Sequence, residues 1–260
     1  MWEKQSPLQK EWSKLIKQET AYLEKRLGQS DSKLTKFLEG KVPPNLQGTL
    51  DKTFFKAFHT VFEKGTGVIE KTYKKEELRK QYQINDYMAG LSDTRKSLKA
   101  FSKKASGSGT INLAISGVSG VGLGVLGIGI PDIVVFTGLV LKSIYEIALN
   151  YGFDYESEDE KRFILLLIRG ALTHGKEMQE INGRVNAYIE NERHVAAETF
   201  EECIGAAAGC MSKELLYMKF LQGIPIVGAV GGAYDVVYLK QITEYANLKY
   251  KKRFLINKKK

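Results

Sequence analysis

The sequence predicts an all-α protein, a multi-helix globular bundle with glycine-rich apolar helices at its centre. Apolar residues recur with helical spacing over most of the chain, and the alternation typical of strands is absent outside short stretches. Hydrophobic residues make up 43% and charged residues 27%, with five prolines, a balance typical of packed globular proteins. We divide the 260 residues into N-terminal amphipathic helices at 1–104 and a helical core with a basic tail at 105–260, expected to form one continuous domain.

The first helix is predicted by a capping box, in which Ser6 and Gln9 flank Pro7 at the first helical position. Its apolar residues follow with helical spacing: Leu8, Trp12, Leu15, Ile16, Tyr22 and Leu23. Gly28 predicts the end of this helix.

The rest of the N-terminal part also has helical patterns. A break is expected at 42–45, where two prolines occur, and an aromatic-rich helix over 50–62 is expected to stop at the glycines of 65–67. Further helices are predicted over 68–88 and 93–104.

The middle of the chain begins with residues 105–131, which carry no charge and include eight glycines. Small residues at Ser116, Gly120 and Gly124 would let helices approach closely, so a buried hairpin in a soluble core is the favoured interpretation. A hairpin that inserts into a bilayer, permanently or after a switch, is the alternative, since the run exceeds the ~20 residues that cross a membrane. Farther on, Ser157 and Glu160 predict the start of another helix.

Two segments share one order of features: a glycine-rich run, an Asp, apolar residues and then K-x-I-x-E-x-A. The last part of the pattern occupies 142–148 in the first segment and 240–246 in the second. The pattern indicates a degenerate internal repeat with two pseudo-symmetric halves, or a chance match, because the intervals from Asp to Lys differ. One hypothesis is that its polar residues form a buried cluster; the alternative is ordinary surface ion pairs. The cluster candidates are Asp132, Lys142, Glu146, Asp235, Lys240 and Glu244.

The C-terminal end is strongly basic, and the net charge of the chain is +9. Seven of the last twelve residues are cationic: Lys249, Lys251, Lys252, Arg253, Lys258, Lys259 and Lys260. We expect this run to bind phosphate on an anionic membrane surface and no specific nucleic acid; a solvated tail is the alternative.

Two stretches resemble phosphate-binding motifs, but neither has the features that such a site requires. The G-x-G-x-x-G at 122–127 is followed too soon by Pro131 for the long helix that a dinucleotide site needs. The stretch 65–72 ends like a P-loop, but Glu70 stands where a glycine must turn around phosphate.

Metal and nucleophile motifs are equally weak. His59, His174 and His194 form no metal-binding spacing, and the serines among the glycines lack the G-x-S-x-G pattern. Cys203 and Cys210 are seven residues apart in a helical pattern, too far for a disulfide, and are predicted to be buried thiols in a reducing cytosol. We therefore expect no cofactor, no metal and no recognisable catalytic residue.

Two blocks carry a family resemblance. The stretch GVSGVGLGVLGIGIPDIVVFTGLVLKSIYEIALNYGFDYESEDEKRF and the later GIPIVGAVGGAYDVVYLKQITEYA resemble the EcsC family, with similarity from about Gly107 to Phe254. Lys142 stands where the family pattern has Arg, and Asp235 where Asn is frequent. The family is named for a bacterial protein encoded beside an ABC-type transporter, whose loss affects secretion and membrane processes. No catalytic residues follow from the resemblance.

These observations lead to three hypotheses. The first is a non-enzymatic cytoplasmic accessory protein, peripheral to the inner face of the membrane, that modulates a transporter or secretion machinery. The second is a membrane-active effector whose glycine-rich hairpins insert into bilayers. The third is a hydrolase in which Asp132, Glu146 and Asp235 supply the carboxylates.

Overall fold

A computed structural model describes residues 5–27, 44–91, 94–102, 131–190, 198–221 and 233–259. These residues form helices and connecting turns, with no strand among them, so the all-α prediction is confirmed. The elements are α1 Pro7–Leu27, α2 Pro44–Thr60, a π-helical turn Val61–Gly65, α3 Thr66–Glu70, α4 Lys75–Leu91, α5 at 95–102, α6 Pro131–Asn150, α7 Glu158–Leu172, α8 Gly175–Glu190, α9 Phe200–Leu221 and α10 Ala233–Asn257.

Both predicted helix starts are confirmed, but only the first forms a complete capping box. The Ser6 amide donates to Oε1 of Gln9 at 2.8 Å, and the Gln9 amide donates to the Ser6 hydroxyl at 3.2 Å, which completes the capping box of α1. At α7, the Glu160 amide donates to the Ser157 hydroxyl at 3.2 Å. The Glu160 carboxylate does not close that box, since it binds residues of α10 instead.

The helix that contains the aromatic residues 54–62 does not stop at Gly65, as the glycines predicted. It passes through the π-helical turn into α3 and ends only before the turn at 71–74. The Thr66 hydroxyl donates to the Val61 carbonyl, five residues back, at 3.0 Å, which matches the wider spacing of a π turn. The predicted helix over 68–88 is consequently two helices, α3 and α4.

Helices α6 and α7 form the centre of the molecule. Helix α6 packs against α2, α4 and α10, and α7 packs against α8, α9 and α10. The uncharged runs 133–141 and 163–168 have no polar face, as expected for helices covered on several sides. Within the described residues, Ile133–Asn150 is long and apolar enough to cross a membrane, with a mean hydropathy of 1.6, but 89% of it is buried by other helices.

One contact fixes how closely α7 and α10 approach each other. A Cβ at Gly170 would lie 2.7 Å from the Tyr245 ring, so the ring occupies the space that any larger residue would need. The Tyr245 hydroxyl then donates to Oδ1 of Asn182 on α8 at 2.9 Å. Tyr245 therefore joins three helices.

The uncharged segment 105–130, the second glycine-rich run 222–232 and residues 93 and 103–104 of the predicted helix 93–104 lie outside the described residues. The hairpin hypothesis and its bilayer alternative remain predictions for that reason. The described part of the N-terminal helices and the described part of the core share one set of buried apolar residues, which runs from Leu15 on α1 to Leu255 on α10.

Candidate functional site

Most of the basic C-terminal run is inside the protein. The expectation of an exposed tail is wrong for Lys249, Lys251, Lys252 and Arg253, because these residues belong to α10 and form ion pairs with α1 and α7. The side chain of Lys249 is 0% exposed. Helix α10 packs against α1, α6, α7 and α8, so these four cations point into the bundle and meet carboxylates there.

Two lysines of α10 share one carboxylate of α1. Lys249 and Lys252 both pair with Glu19, the latter at 3.3 Å, and both donate to Oδ1 of Asn186 on α8, at 2.9 and 3.1 Å. Burial and the neighbouring Lys252 lower the pKa of Lys249 to about 8, against the attraction of Glu19. The pKa of Glu19 is lowered because the two ammonium groups outweigh its own desolvation.

A second shared carboxylate belongs to Glu11, one turn after the start of α1. It accepts from Lys251 at 3.0 Å and from Nε of Arg95 at 2.9 Å, so it connects α1 with α10 and α5. Its side chain is 1% exposed, and the two cations lower its pKa although burial opposes this. Glu11 and Glu19 are thus the acidic counterparts of the buried lysines.

Arg253 has the most aromatic surroundings of the four cations. Its Nη1 donates to both oxygens of Glu160 at 2.8 and 2.7 Å, and Tyr250 donates to the same carboxylate at 2.7 Å. The guanidinium lies 4.2 Å from the centre of the Phe153 ring. The helix start predicted from Ser157 and Glu160 therefore also supplies the carboxylate that holds the end of α10.

Lys258 and Lys259 remain at the surface. Lys258 pairs with Asp86 of α4 at 2.5 Å, and the Lys259 ammonium lies 3.9 Å from the centre of the Trp12 ring. Lys260 lies outside the described residues. Among the described residues of the basic run, only Lys258 and Lys259 are therefore exposed to an external phosphate.

The six candidates for a buried polar cluster lie in different surroundings. Lys142 and Glu146 are buried on α6, where the Lys142 ammonium donates to the Thr72 carbonyl at 3.5 Å. Lys240 and Glu244 are exposed on α10 and form a weak surface pair at 3.9 Å, so the expectation of burial is wrong for these two. The reason is that α6 is covered on several sides, whereas this face of α10 opens to solvent.

Asp132 and Asp235 belong to α6 and α10, but their side chains lie outside what the structure describes. The hypothesis that they contribute carboxylates to a hydrolase site remains a prediction. The two K-x-I-x-E-x-A segments are both helical, yet one is buried and the other exposed.

A tyrosine cluster that sequence reasoning missed lies near Glu146. The Tyr73 and Tyr155 hydroxyls are 2.5 Å apart, and Tyr155 donates to Glu70 at 2.6 Å. Lys75 forms an ion pair with the same Glu70 carboxylate at 2.8 Å. The Tyr145 ring stacks on the Tyr155 ring, with centroids 3.9 Å apart. Burial and the negative charge of Glu70 raise the pKa of Tyr73, so this phenol stays protonated.

His174, the more buried of the two described histidines, is held neutral. Arg26 donates to Nε2 of His174 at 2.8 Å, and Glu214 lies 3.6 Å from Nδ1. Burial and the guanidinium lower the pKa of His174 to about 4. Because Nε2 already accepts from a cation, this imidazole is a poor general base.

The remaining motifs have plain structural roles where the structure describes them. No group of three or more His, Cys, Asp or Glu with metal-binding geometry occurs among the described residues. Residues 66–70 of the P-loop-like stretch are helical, while 122–127 and His194 lie outside the described part. Cys203 and Cys210 are free thiols on α9.

The exposed apolar residues of α4 form the most unusual surface. Four side chains at positions i, i+3, i+4 and i+7 are half or more exposed: Ile84 (57%), Tyr87 (69%), Met88 (51%) and Leu91 (66%). Residues with this spacing share one helical face, which we call the α4 face. Lys80 is exposed one turn before Ile84 on the same helix, and Lys96 and Lys99 are exposed on α5, the next helix along the chain.

Comparisons with known proteins agree with the resemblance seen in the sequence. A protein from Bacillus subtilis (strain 168), the uncharacterized protein YdbA, is 28% identical over 163 residues, which cover 60% of this chain and 56% of that protein. No solved structure matches the chain. The model of the EcsC protein family matches residues 9–255. Because this match covers nearly the whole chain, the protein belongs to the EcsC family.

Proposed function

We propose that this protein is a non-enzymatic accessory protein that acts at an anionic membrane surface on the cytoplasmic side, where it modulates a transporter or secretion machinery. The α4 face carries the first part of the proposal. Four neighbouring apolar side chains at a helix surface, flanked by lysines, are typical of a helix that lies in the membrane interface.

The charges around the α4 face favour anionic lipids as the occupant. Lys80 is exposed on α4 itself, and Lys96 and Lys99 are exposed on the helix that follows it in the chain. The pair between Lys258 and Asp86 holds the end of α10 against α4. Each basic residue close to an anionic surface contributes about 1 kcal/mol to binding. A protein with a net charge of +9 is also attracted to such a surface over a longer distance.

The contacts of the described ionisable groups support a non-enzymatic role. The buried carboxylates of Glu11, Glu19 and Glu160 and the half-buried carboxylate of Glu70 are each held by cations of neighbouring helices. His174 is neutral and accepts from Arg26. These groups stabilise the bundle and are poorly placed to exchange protons with a substrate.

Sedimentation with lipid vesicles tests the membrane part. The protein is expected to sediment with vesicles that contain phosphatidylglycerol, less so at high salt, and to stay in solution with phosphatidylcholine alone. The double variant Tyr87→Ser and Leu91→Ser should reduce the partition coefficient at least about tenfold, because it removes the two most exposed apolar side chains of the face. Val68→Ser, at another exposed apolar residue (40%), is the matched control and should change it less than about twofold.

Failure of the unaltered protein to sediment with anionic vesicles at low salt would overturn the proposal. So would equal losses in the double variant and in Val68→Ser. Release of a dye trapped in the vesicles would instead favour the membrane-active effector.

The transporter part rests on the family resemblance and has its own test. In a strain that lacks the gene, the unaltered protein and Val68→Ser should restore transport or secretion, and the double variant should not. Full restoration by the double variant would show that transport or secretion does not depend on the α4 face.

A further inference from the structure

A groove lies between α1 and α10 and consists of two adjoining hollows of about 510 and about 530 Å³. Tyr22, Lys25 and Glu244 line both hollows, so the two adjoin at these residues. The Tyr22 ring stacks on Tyr245 with centroids 5.5 Å apart, which fixes the floor between the helices. Volumes of this size are typical of small-molecule sites.

The walls of the groove carry more cations than carboxylates. The cations are Lys14, Lys25, Arg26, Lys240 and Lys251, and the carboxylates are Glu214 and Glu244. Glu214 faces His174 from the interior, and Glu244 is engaged weakly by Lys240 at 3.9 Å. The groove is therefore positively charged before any ligand enters.

Two of these cations are available for a ligand. Lys14 and Lys25 are exposed, and neither forms an ion pair within 4.0 Å with any carboxylate of the described residues. They are eleven residues apart, which places them on one face of α1 together with Gln18 and Tyr22. Arg26 and Lys251 lie deeper and are tied to Thr173 and Glu11, so they add positive potential without needing to move.

We propose that this groove binds a small organic phosphate. Lys25, at the junction of the hollows, holds the phosphate group together with Lys240, which exchanges its weak contact with Glu244 for a stronger one. The organic part lies against Tyr22, Ala21 and Leu248. A soluble phosphate ester and the headgroup of a lipid offer the same group, and the experiment separates them.

Isothermal titration calorimetry on the whole chain tests the proposal with pyrophosphate, with glycerol phosphate and with dihexanoyl phosphatidic acid below its micelle concentration. Binding of the first two identifies a soluble ligand, and binding of only the lipid identifies a headgroup; either result supports the site. Dihexanoyl phosphatidylcholine, which has no net charge, is expected not to bind.

Lys25→Gln and Lys240→Gln should each weaken binding of the phosphate probe about tenfold. Lys17→Gln is the matched control, because Lys17 is also exposed on α1 but does not line the groove, and it should change the affinity less than about twofold. These side chains are at the surface, so the variants are expected to fold.

The proposal is overturned when no phosphate probe binds at millimolar concentration, or when Lys17→Gln weakens binding as much as Lys25→Gln. The groove does not include the α4 face, so the double variant Tyr87→Ser and Leu91→Ser should bind phosphate normally. Loss of vesicle binding in that variant, with phosphate binding intact, distinguishes the two proposals.

Discussion

Glu19 and Lys249 form an ion pair across 230 positions of the sequence, and both side chains are buried between α1, α8 and α10. Lys252 shares the same carboxylate, so two ammonium groups depend on one acid. Since α1 and α10 are the first and last described helices, this pair joins the two ends of the described chain.

Glu19→Gln is expected to lower the free energy of unfolding by about 3–5 kcal/mol, because it leaves Lys249 and Lys252 buried without an anion. Denaturation by urea, followed by circular dichroism, measures the loss. Glu24→Gln, at an exposed residue of the same helix, is the matched control and should stay within about 0.5 kcal/mol of the unaltered protein. A loss below about 1 kcal/mol in Glu19→Gln would contradict the buried pair.

His174 is expected to stay neutral down to about pH 4, because its Nε2 accepts from Arg26 and its ring is buried. In the unfolded chain its pKa is near 6.5, so between pH 6.5 and about 4 the unfolded state binds the extra proton. The unfolding free energy should therefore fall as the pH is lowered through this range, by up to about 1.4 kcal/mol per pH unit.

Nuclear magnetic resonance of the imidazole measures the pKa of His174 directly. Arg26→Met should raise it, because the variant removes both the charge and the donor. His59, which contacts Glu201 at 2.8 Å and Glu63 at 3.6 Å, provides an internal comparison in the same spectra. A His174 that titrates near pH 6.5 in the unaltered protein would show that the contact with Arg26 does not form.

Gly152→Ala is expected to destabilise the protein by at least roughly 1–3 kcal/mol. Gly152 has φ of +80°, and an added Cβ would lie 2.2 Å from the Tyr82 ring. Gly183→Ala is the matched control, because Gly183 lies inside α8 with open space around it, and it should stabilise the protein by up to about 1 kcal/mol. Thermal unfolding of both variants measures whether each change in stability is a loss or a gain. Equal effects of the two substitutions would contradict the turn geometry at Gly152.

Both cysteines are expected to react slowly with a thiol reagent at pH 8 in the folded protein. Burial and the nearby carboxylate of Glu198 raise the pKa of Cys203, and burial raises the pKa of Cys210 to about 12. Because the thiolate is the reactive form, we expect rates at least about a hundredfold below those in urea. Reaction of either thiol within minutes in the folded state would contradict this placement.

The sequence contains a sign that Glu11 and Glu19 of α1 are buried, but the periodicity does not show which residues they contact. Leu8, Glu11, Leu15 and Glu19 recur at intervals of three and four, so the two acids lie on the apolar stripe of the helix. A carboxylate on such a stripe implies a buried cation, but the helix that supplies it was not identifiable. The same ambiguity affected α10, whose lysines were interpreted as a tail.

The sequence by itself determined the all-α class, the capped starts of α1 and α7 and the family, because these depend on patterns that can be recognised along the chain. Only the tertiary structure decided that Lys249 is buried while Lys240 is exposed, since both are lysines of one helix and differ only in what packs against them. It also decided that the α4 face is left uncovered. Burial depends on which helices meet, and this is set by contacts between residues far apart in the chain.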